Sequence, residues 1–207
     1  MTRLEHLLDY IKPNDIVIDV GCETATLSIL LAKKGIKSIA SDIKIDNAIN
    51  RINKLQLGKF VDVRKGYGLS TITIHDNISV AVFAGMGALL ILKILKSSKV
   101  KINKIVTISN NKYEVLRSEM NKLGYKIYSE EIIKDNSKFY NIIVFVVGNE
   151  KLKDYEIILG KNHINKSLFI EKYEIELKRL RELCKIIPSS EINAVNNKIK
   201  IISNLIN

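Results

Sequence analysis

Apolar residues recur along this chain with two periods, and the switching between them lays out its elements. Leu4, Leu7, Leu8 and Ile11 share one face at helical spacing and predict a first amphipathic helix, closed by Pro13. Ile16-Val17-Ile18 opens a β-branched run ending in Asp19-Val20-Gly21, which predicts a buried parallel strand. Helices are then expected over 25–34, 45–57, 87–96 and 112–123, with Gly35, Gly58 and Gly124 as stop signals for three of them. Strands are expected over 37–42, 60–64, 78–83 and 104–109, with a loop carrying Gly66-Tyr67-Gly68 between the second and third of these. Segments 125–133 and 139–147 read as an antiparallel pair around Asp135-Asn136-Ser137. Strand–helix alternation followed by a strand pair implies a doubly wound α/β sheet, mostly parallel, with one antiparallel edge.

The tail carries a different pattern. Over 165–187 it is charged and helical, and Ile170, Tyr173, Leu177, Leu180, Cys184 and Ile187 recur at steps of three and four. Pro188 and Ser189-Ser190 break it. Ile192, Val195, Ile199, Ile202 and Ile206 repeat the spacing on a second helix, so a C-terminal helical hairpin is expected. The chain divides on this reading into a sheet domain, 1–150, and a helical unit, 151–207.

Composition narrows the class. Among 207 residues, 33 Lys and Arg face 22 Asp and Glu, a net charge of +11 that favours a polyanionic partner, nucleic acid or an acidic surface. Charge also drifts with a composition rich in Lys, Ile and Asn, so it does not choose alone. A hydrophobic content of 46% excludes a disordered chain. Two cysteines, Cys22 and Cys184, exclude a disulfide scaffold, and His6, His75 and His163 have no metal-ligand spacing. Glu5 and Asp9 interrupt any leader-like run, and the longest uncharged stretch, 77–92, is shorter than the roughly 18 residues of a spanning helix. A cytoplasmic protein without a membrane partner is expected, with a monomer as the default.

The candidate chemistry gathers at strand ends. Asp19-Val20-Gly21 sets a small turn between strand and helix, where nucleotide-like ligands meet backbone N–H groups. Asp42 ends the second strand about 20 residues later, where an acid holds ribose hydroxyls or merely stands solvated. A GxGxxG fingerprint would need glycine where Glu23 and Thr26 stand. One glycine with strand-end acids better suits an adenosine cofactor without pyrophosphate, such as S-adenosylmethionine. Ala84-Gly85-Met86-Gly87 lets a backbone approach a substrate closely, or is an ordinary turn with Met86 as core filler. Residues 77–113 contain no acid but hold Lys93, Lys96, Lys99, Lys101, Lys104 and Lys112, which reads as a phosphate-tracking rim or a solvated face. Arg3, Arg64 and Arg117 would add bidentate phosphate contacts. Cys22 lacks a motif partner and reads as a small turn residue.

These motifs resemble the bacterial TrmK family, S-adenosylmethionine-dependent methyltransferases acting on N1 of adenine 22 of tRNA. Asp19-Val20-Gly21-Cys22-Glu23-Thr24-Ala25-Thr26-Leu27 lies on the family's D-I-G-S-D-H-A-Y-L, and Asp42-Ile43 on its acidic strand end. Val63-Arg64 and Gly66-Tyr67-Gly68-Leu69 lie on V-R and G-D-G-L. Phe83-Ala84-Gly85-Met86-Gly87-Ala88 lies on I-A-G-M-G-G, the most specific match, and Asn110 with Leu116-Arg117 fits Q-P-N and L-R. The resemblance implies a Rossmann-like class I methyltransferase fold with a C-terminal helical hairpin. It implies cofactor contacts from Asp19, Gly21, Cys22, Asp42, Ile43, Gly66, Tyr67, Ala84, Gly85 and Met86, and tRNA as the partner, for which the charge pattern offers Arg3, Arg64, Lys93, Lys96 and Arg117 as contacts. Methylation leaves the adenine ring cationic, so Glu23 is the candidate carboxylate that stabilises it and Asn110 the candidate group on the base edge. No metal is expected. Tyr67 replaces the family's acid, and Glu23-Thr24-Ala25-Thr26 replaces Asp-His-Ala-Tyr. A catalytically silent RNA-binding protein on the same fold is therefore the alternative.

Overall fold

The computed structural model describes residues 1–161 and 166–206; His163 and the expected helix start at Asn165 lie outside the described residues. The elements run α1 (Arg3–Leu7), β1 (Ile16–Val20), α2 (Thr26–Lys33), β2 (Lys37–Asp42), α3 (Asp46–Lys54), β3 (Val61–Lys65), β4 (Val80–Met86), α4 (Ala88–Ser97), β5 (Lys104–Ser109), α5 (Tyr113–Lys122), β6 (Tyr125–Asp135), β7 (Lys138–Val147), α6 (Asp154–Leu159), α7 (Lys166–Leu183) and α8 (Ser189–Ile206). Thr2 begins α1 with a capping box: its hydroxyl accepts from the Glu5 N–H, and the Glu5 carboxylate accepts from the Thr2 N–H.

The strands form one sheet in the order β3-β2-β1-β4-β5-β7-β6. β1 to β5 pair in parallel, and β7 is antiparallel to both β5 and β6. The β7–β6 pair thus makes up the expected antiparallel edge, with β7 against β5 and β6 outermost. Strands buried on both faces explain the unbroken apolar runs of the sequence. Along β4, Ala81 and Phe83 join one core with α4 and α5, while Val80 and Val82 join another with α1 and α2. A third cluster seats α2 and α3 on β2 through Ala25, Ile29, Ala40, Ala48 and Ile52.

The β6–β7 hairpin turns through Asn136 and Ser137, both at positive φ, as a two-residue turn requires. The sequence pattern did not predict α6. α7 and α8 do pair, and Tyr173, Leu177, Leu180 and Ile202 are buried together with Leu159 of α6 and Ile132 of β6. The stripe is not wholly inward, since Ile170 is exposed. Among the described residues, no helix is long and apolar enough to cross a membrane.

Candidate active site

The carboxyl ends of β1, β2 and β3 are drawn together by one serine. Gly21, in the left-handed region at φ +73°, and Cys22 both donate their N–H to the Ser41 carbonyl, at 2.8 and 3.1 Å. The Ser41 hydroxyl donates to the Gly68 carbonyl at 3.1 Å and accepts from the Thr71 hydroxyl at 3.0 Å. Asp42, next in the chain, accepts the Glu23 N–H on Oδ2 at 2.9 Å and the Lys44 N–H on Oδ1 at 3.1 Å. Arg51 of α3 reaches back to the Thr24 carbonyl and the Thr26 hydroxyl, at 2.7 and 2.8 Å. Sequence reasoning missed Ser41 and Arg51. The usable signal for Ser41 was a small polar residue at the last buried position before a strand-end acid.

Asp19 is buried below this turn and accepts the Ser28 hydroxyl at 2.9 Å. Burial pushes its carboxyl up to about 6, and the nearby Asp42 charge adds to that. Burial, followed by the charges of Asp19 and Asp42, pushes the Cys22 thiol up to about 12. A thiol held neutral there is no nucleophile, in line with its reading as a turn residue.

The adjoining surface fits the expected adenosine group. Ile43 and Tyr67 are 59% and 44% exposed, although both are large and apolar. They flank the point where the Gly66 N–H donates to the Asp42 carbonyl at 2.9 Å. Exposed apolar walls beside a carboxylate suit a purine ring with its ribose, and each Asp42 oxygen keeps a lone pair for a hydroxyl.

Gly85 makes a bulge near the end of β4, at φ +88°, where the register against β5 shifts between Ala84 and Met86. A Cβ built there would meet nothing nearer than the Arg3 guanidinium at 3.8 Å, so its backbone faces open space. The strand therefore continues through the expected glycine turn. Asn110, just past β5, donates its side-chain amide to the Gly85 carbonyl at 2.5 Å and its N–H to the Met86 carbonyl at 2.8 Å. Its Oδ1 has no partner among the described residues. Glu23 is exposed at the β1 turn, and β4 alone separates β1 from β5. Glu23, with its N–H bonded to Asp42, stands on the β2 side of the turn and Asn110 past β5, so the two candidate catalytic residues lie on either side of the β4 end.

Met86 locks β4 to the β1 turn. A Cβ on Gly21 would lie 2.2 Å from its terminal methyl, and that flexible end can move aside; the positive φ cannot. Gly21→Ala should accordingly lower stability by about 1–2 kcal/mol, chiefly through backbone strain. Urea denaturation measures it, and an unchanged midpoint would mean that the turn relaxes freely.

The expected phosphate contacts need correction. Arg117 is 1% exposed and forms a buried ion pair with Glu130 of β6, so it reaches no phosphate. Arg64 spends its guanidinium on Asp62, Asp76 and the Thr71 carbonyl, at 2.8, 2.7 and 2.9 Å. The acid-free lysine stretch does not surround the site. Helices of a parallel sheet run back from the carboxyl edge, so Lys93 and Lys96 lie down α4, and Lys99 and Lys101 lie between α4 and β5 at the opposite edge. Lys96 is also paired with Glu119 at 2.9 Å, and Lys104 donates to the Tyr10 carbonyl. Arg3 does lie at the site: its guanidinium stacks 5.3 Å from the Tyr140 ring centroid and makes no ion pair with a described residue.

Comparison with known proteins agrees with this geometry. Residues 17–206 match the family model of TrmK, tRNA (adenine(22)-N(1))-methyltransferase. A Rossmann-superfamily protein of Streptococcus agalactiae superposes with a TM-score of 0.93 at 28% identity, covering 100% of this chain and 97% of that one. A candidate tRNA (m1A22) methyltransferase of Streptococcus pneumoniae, solved with S-adenosyl-L-methionine, gives 0.90 at 26% identity and covers 100% of both chains. The probable cobalt-precorrin-6B C(15)-methyltransferase (decarboxylating) of Methanobrevibacter smithii is 27% identical over 151 residues, covering 69% of this chain and 80% of that protein.

Proposed function

The chain belongs to the TrmK family of tRNA (adenine(22)-N(1))-methyltransferases, and from that premise we propose how its strand ends divide the work. The protein transfers a methyl group from S-adenosylmethionine to N1 of an adenine in tRNA. The cofactor supplies a sulfonium methyl group, which the N1 lone pair displaces. Asp42 holds the ribose, with Ile43 and Tyr67 against the adenine of the cofactor. Here Tyr67 replaces a polar contact with an apolar wall. Gly21 and Met86 shape the passage toward the bulge at Gly85.

One observation carries this reading: the Asn110 amide is fixed on the carbonyl of a left-handed glycine whose outer face is open. That pair offers a rigid acceptor and donor edge to the target base. Because N1 lies on the pairing edge, the adenine must leave its stack to arrive there. N1 is already nucleophilic, so no base is needed. What the reaction needs is stabilisation of the cationic product ring, and Glu23 supplies the carboxylate.

The test is mass spectrometry of nucleosides from unmodified tRNA after incubation with the protein and S-adenosylmethionine, together with calorimetry of the cofactor. The wild type should yield 1-methyladenosine. Asp42→Ala should weaken cofactor binding by about tenfold or more, the loss of a charge-assisted pair of hydrogen bonds. Unchanged affinity would remove the ribose role. Binding of tRNA without 1-methyladenosine would instead mark a silent RNA-binding protein.

A further inference from the structure

α7 delivers a lysine into the same cleft as the candidate catalytic asparagine. One open cavity of about 650 Å³ is lined by Arg3, Asn110, Tyr113, Lys138, Tyr140 and Lys172, with the Glu176 carboxylate also on its wall. The Lys172 ammonium lies 5.2 Å from the Tyr113 ring centroid and 5.4 Å from that of Tyr173, and it donates to the Asn141 side-chain oxygen. No carboxylate lies within ion-pair distance of it among the described residues. Arg3, from α1, stands at the same cavity over Tyr140, also without an ion pair. Glu176 is drawn off to Arg179 at 2.8 Å. Three cations, Arg3, Lys138 and Lys172, and two phenol rings around one cleft, with no anion paired to any of the three among the described residues, describe a receptor for an anionic group attached to a flat one.

We propose that Lys172, with Arg3, binds the RNA phosphate adjoining the target adenosine, so that the C-terminal helices help to position the base they do not methylate. The proposal rests on the tRNA reading above. It gives Lys172 a positioning role, since its amine acts on the phosphate and not on N1.

The surroundings agree with an ammonium held ready for an anion. Burial lowers its pKa to about 8, and Arg117 on α5 lowers it further. Glu130 on β6, Glu176 on α7 and Glu114 on α5 oppose this without forming an ion pair with it. An entering phosphate would raise the pKa and fix the proton. Linkage then gives the sign: the complex holds the proton more tightly than the free protein, so affinity is full below about 8 and falls as pH rises through it.

The experiment measures tRNA affinity of the full-length wild type, Lys172→Met and Arg3→Met against salt and against pH, with cofactor calorimetry on each. Lys172→Met keeps the stem and removes the charge. We expect its slope of log affinity against log salt to shrink by about 1, with KM for tRNA raised more than kcat is lowered. We also expect wild-type affinity to drop about tenfold between pH 7 and pH 9, and the variant to show no such drop. Cofactor affinity should stay unchanged in both variants. If the salt slope and pH profile of Lys172→Met match those of the wild type, the lysine is only structural and the proposal fails. A loss of cofactor affinity in Lys172→Met would also overturn it, because the anion would then be the cofactor carboxylate. The wild-type pH profile needs no variant, so a flat profile between pH 7 and 9 counts against the proposal even if Lys172→Met misfolds. Failure of the wild type to bind tRNA at all would be a separate result and would strike the underlying tRNA reading.

Discussion

Replacing Arg117 with Met should lower the free energy of unfolding by about 3–5 kcal/mol, the largest single-site loss of stability expected in this chain. The guanidinium donates to both Glu130 oxygens, at 2.5 and 3.2 Å, and to the carbonyls of Ile157 and Ile158, at 2.7 and 3.1 Å. Glu130 also accepts from the Asn141 amide at 2.8 Å and the Lys161 N–H at 3.1 Å. Both charged side chains are essentially sealed from water, at 1% and 0% exposure. Removing the cation leaves a carboxylate buried without its counter-charge and two carbonyls without donors, and each deficit costs free energy. Removing both partners, as Arg117→Met with Glu130→Leu, should restore much of the loss, because an apolar pair of similar volume avoids the desolvation cost altogether. Urea denaturation of the two single variants and the double variant gives the coupling directly. Should Arg117→Met melt within about 0.5 kcal/mol of the wild type, the pair is not the clamp described here.

Glu23→Gln combined with Asn110→Ala should slow methyl transfer by about 10²–10³-fold while leaving cofactor affinity near the wild-type value. The estimate takes a preorganised charge and a preorganised hydrogen-bonding group to contribute roughly 3–4 kcal/mol together in the transition state. The direction of the effect separates their roles. Losing Glu23 withdraws a negative charge that matters only once the ring becomes positive, so kcat should fall with KM little changed. Losing Asn110 frees the Gly85 carbonyl as well as the base edge, so both constants should move. Single-turnover rates on unmodified tRNA decide the matter. A double variant that turns over at the wild-type rate removes both assignments.

Most of the sheet was legible because its strands are continuous β-branched runs ended by turn residues, and the expected bounds of β2 and β5 coincide with those observed. Period failed where geometry overrode it. β4 runs on through Met86 because Gly85 takes up a bulge, which a glycine-rich turn cannot be told from in one dimension. The six residues of α6 offer too short a window for periodicity. The antiparallel pair could be read as a hairpin, but not which of its strands meets β5, because pairing partners are set by three-dimensional order. At the site, the glycines and strand-end acids could be read because backbone conformation restricts which residues stand there. Two of the three arginines could not. Charge says only that a partner exists, and for Arg117 and Arg64 that partner is inside the protein. The acid-free lysine stretch misled for a related reason: a helix returning from the carboxyl edge carries its charges to the far end of the sheet.

The place of β7 between β5 and β6 has a consequence for biosynthesis. β5 carries Asn110 at its end, yet its outer edge is closed only by residues 138–147. At 5–20 residues per second, that edge stays bare for about 2–8 s after β5 is made, a template for pairing with other chains. The nascent chain is therefore most exposed to aggregation just before its active-site edge is completed, and the hairpin turn at Asn136-Ser137 is the event that ends the hazard.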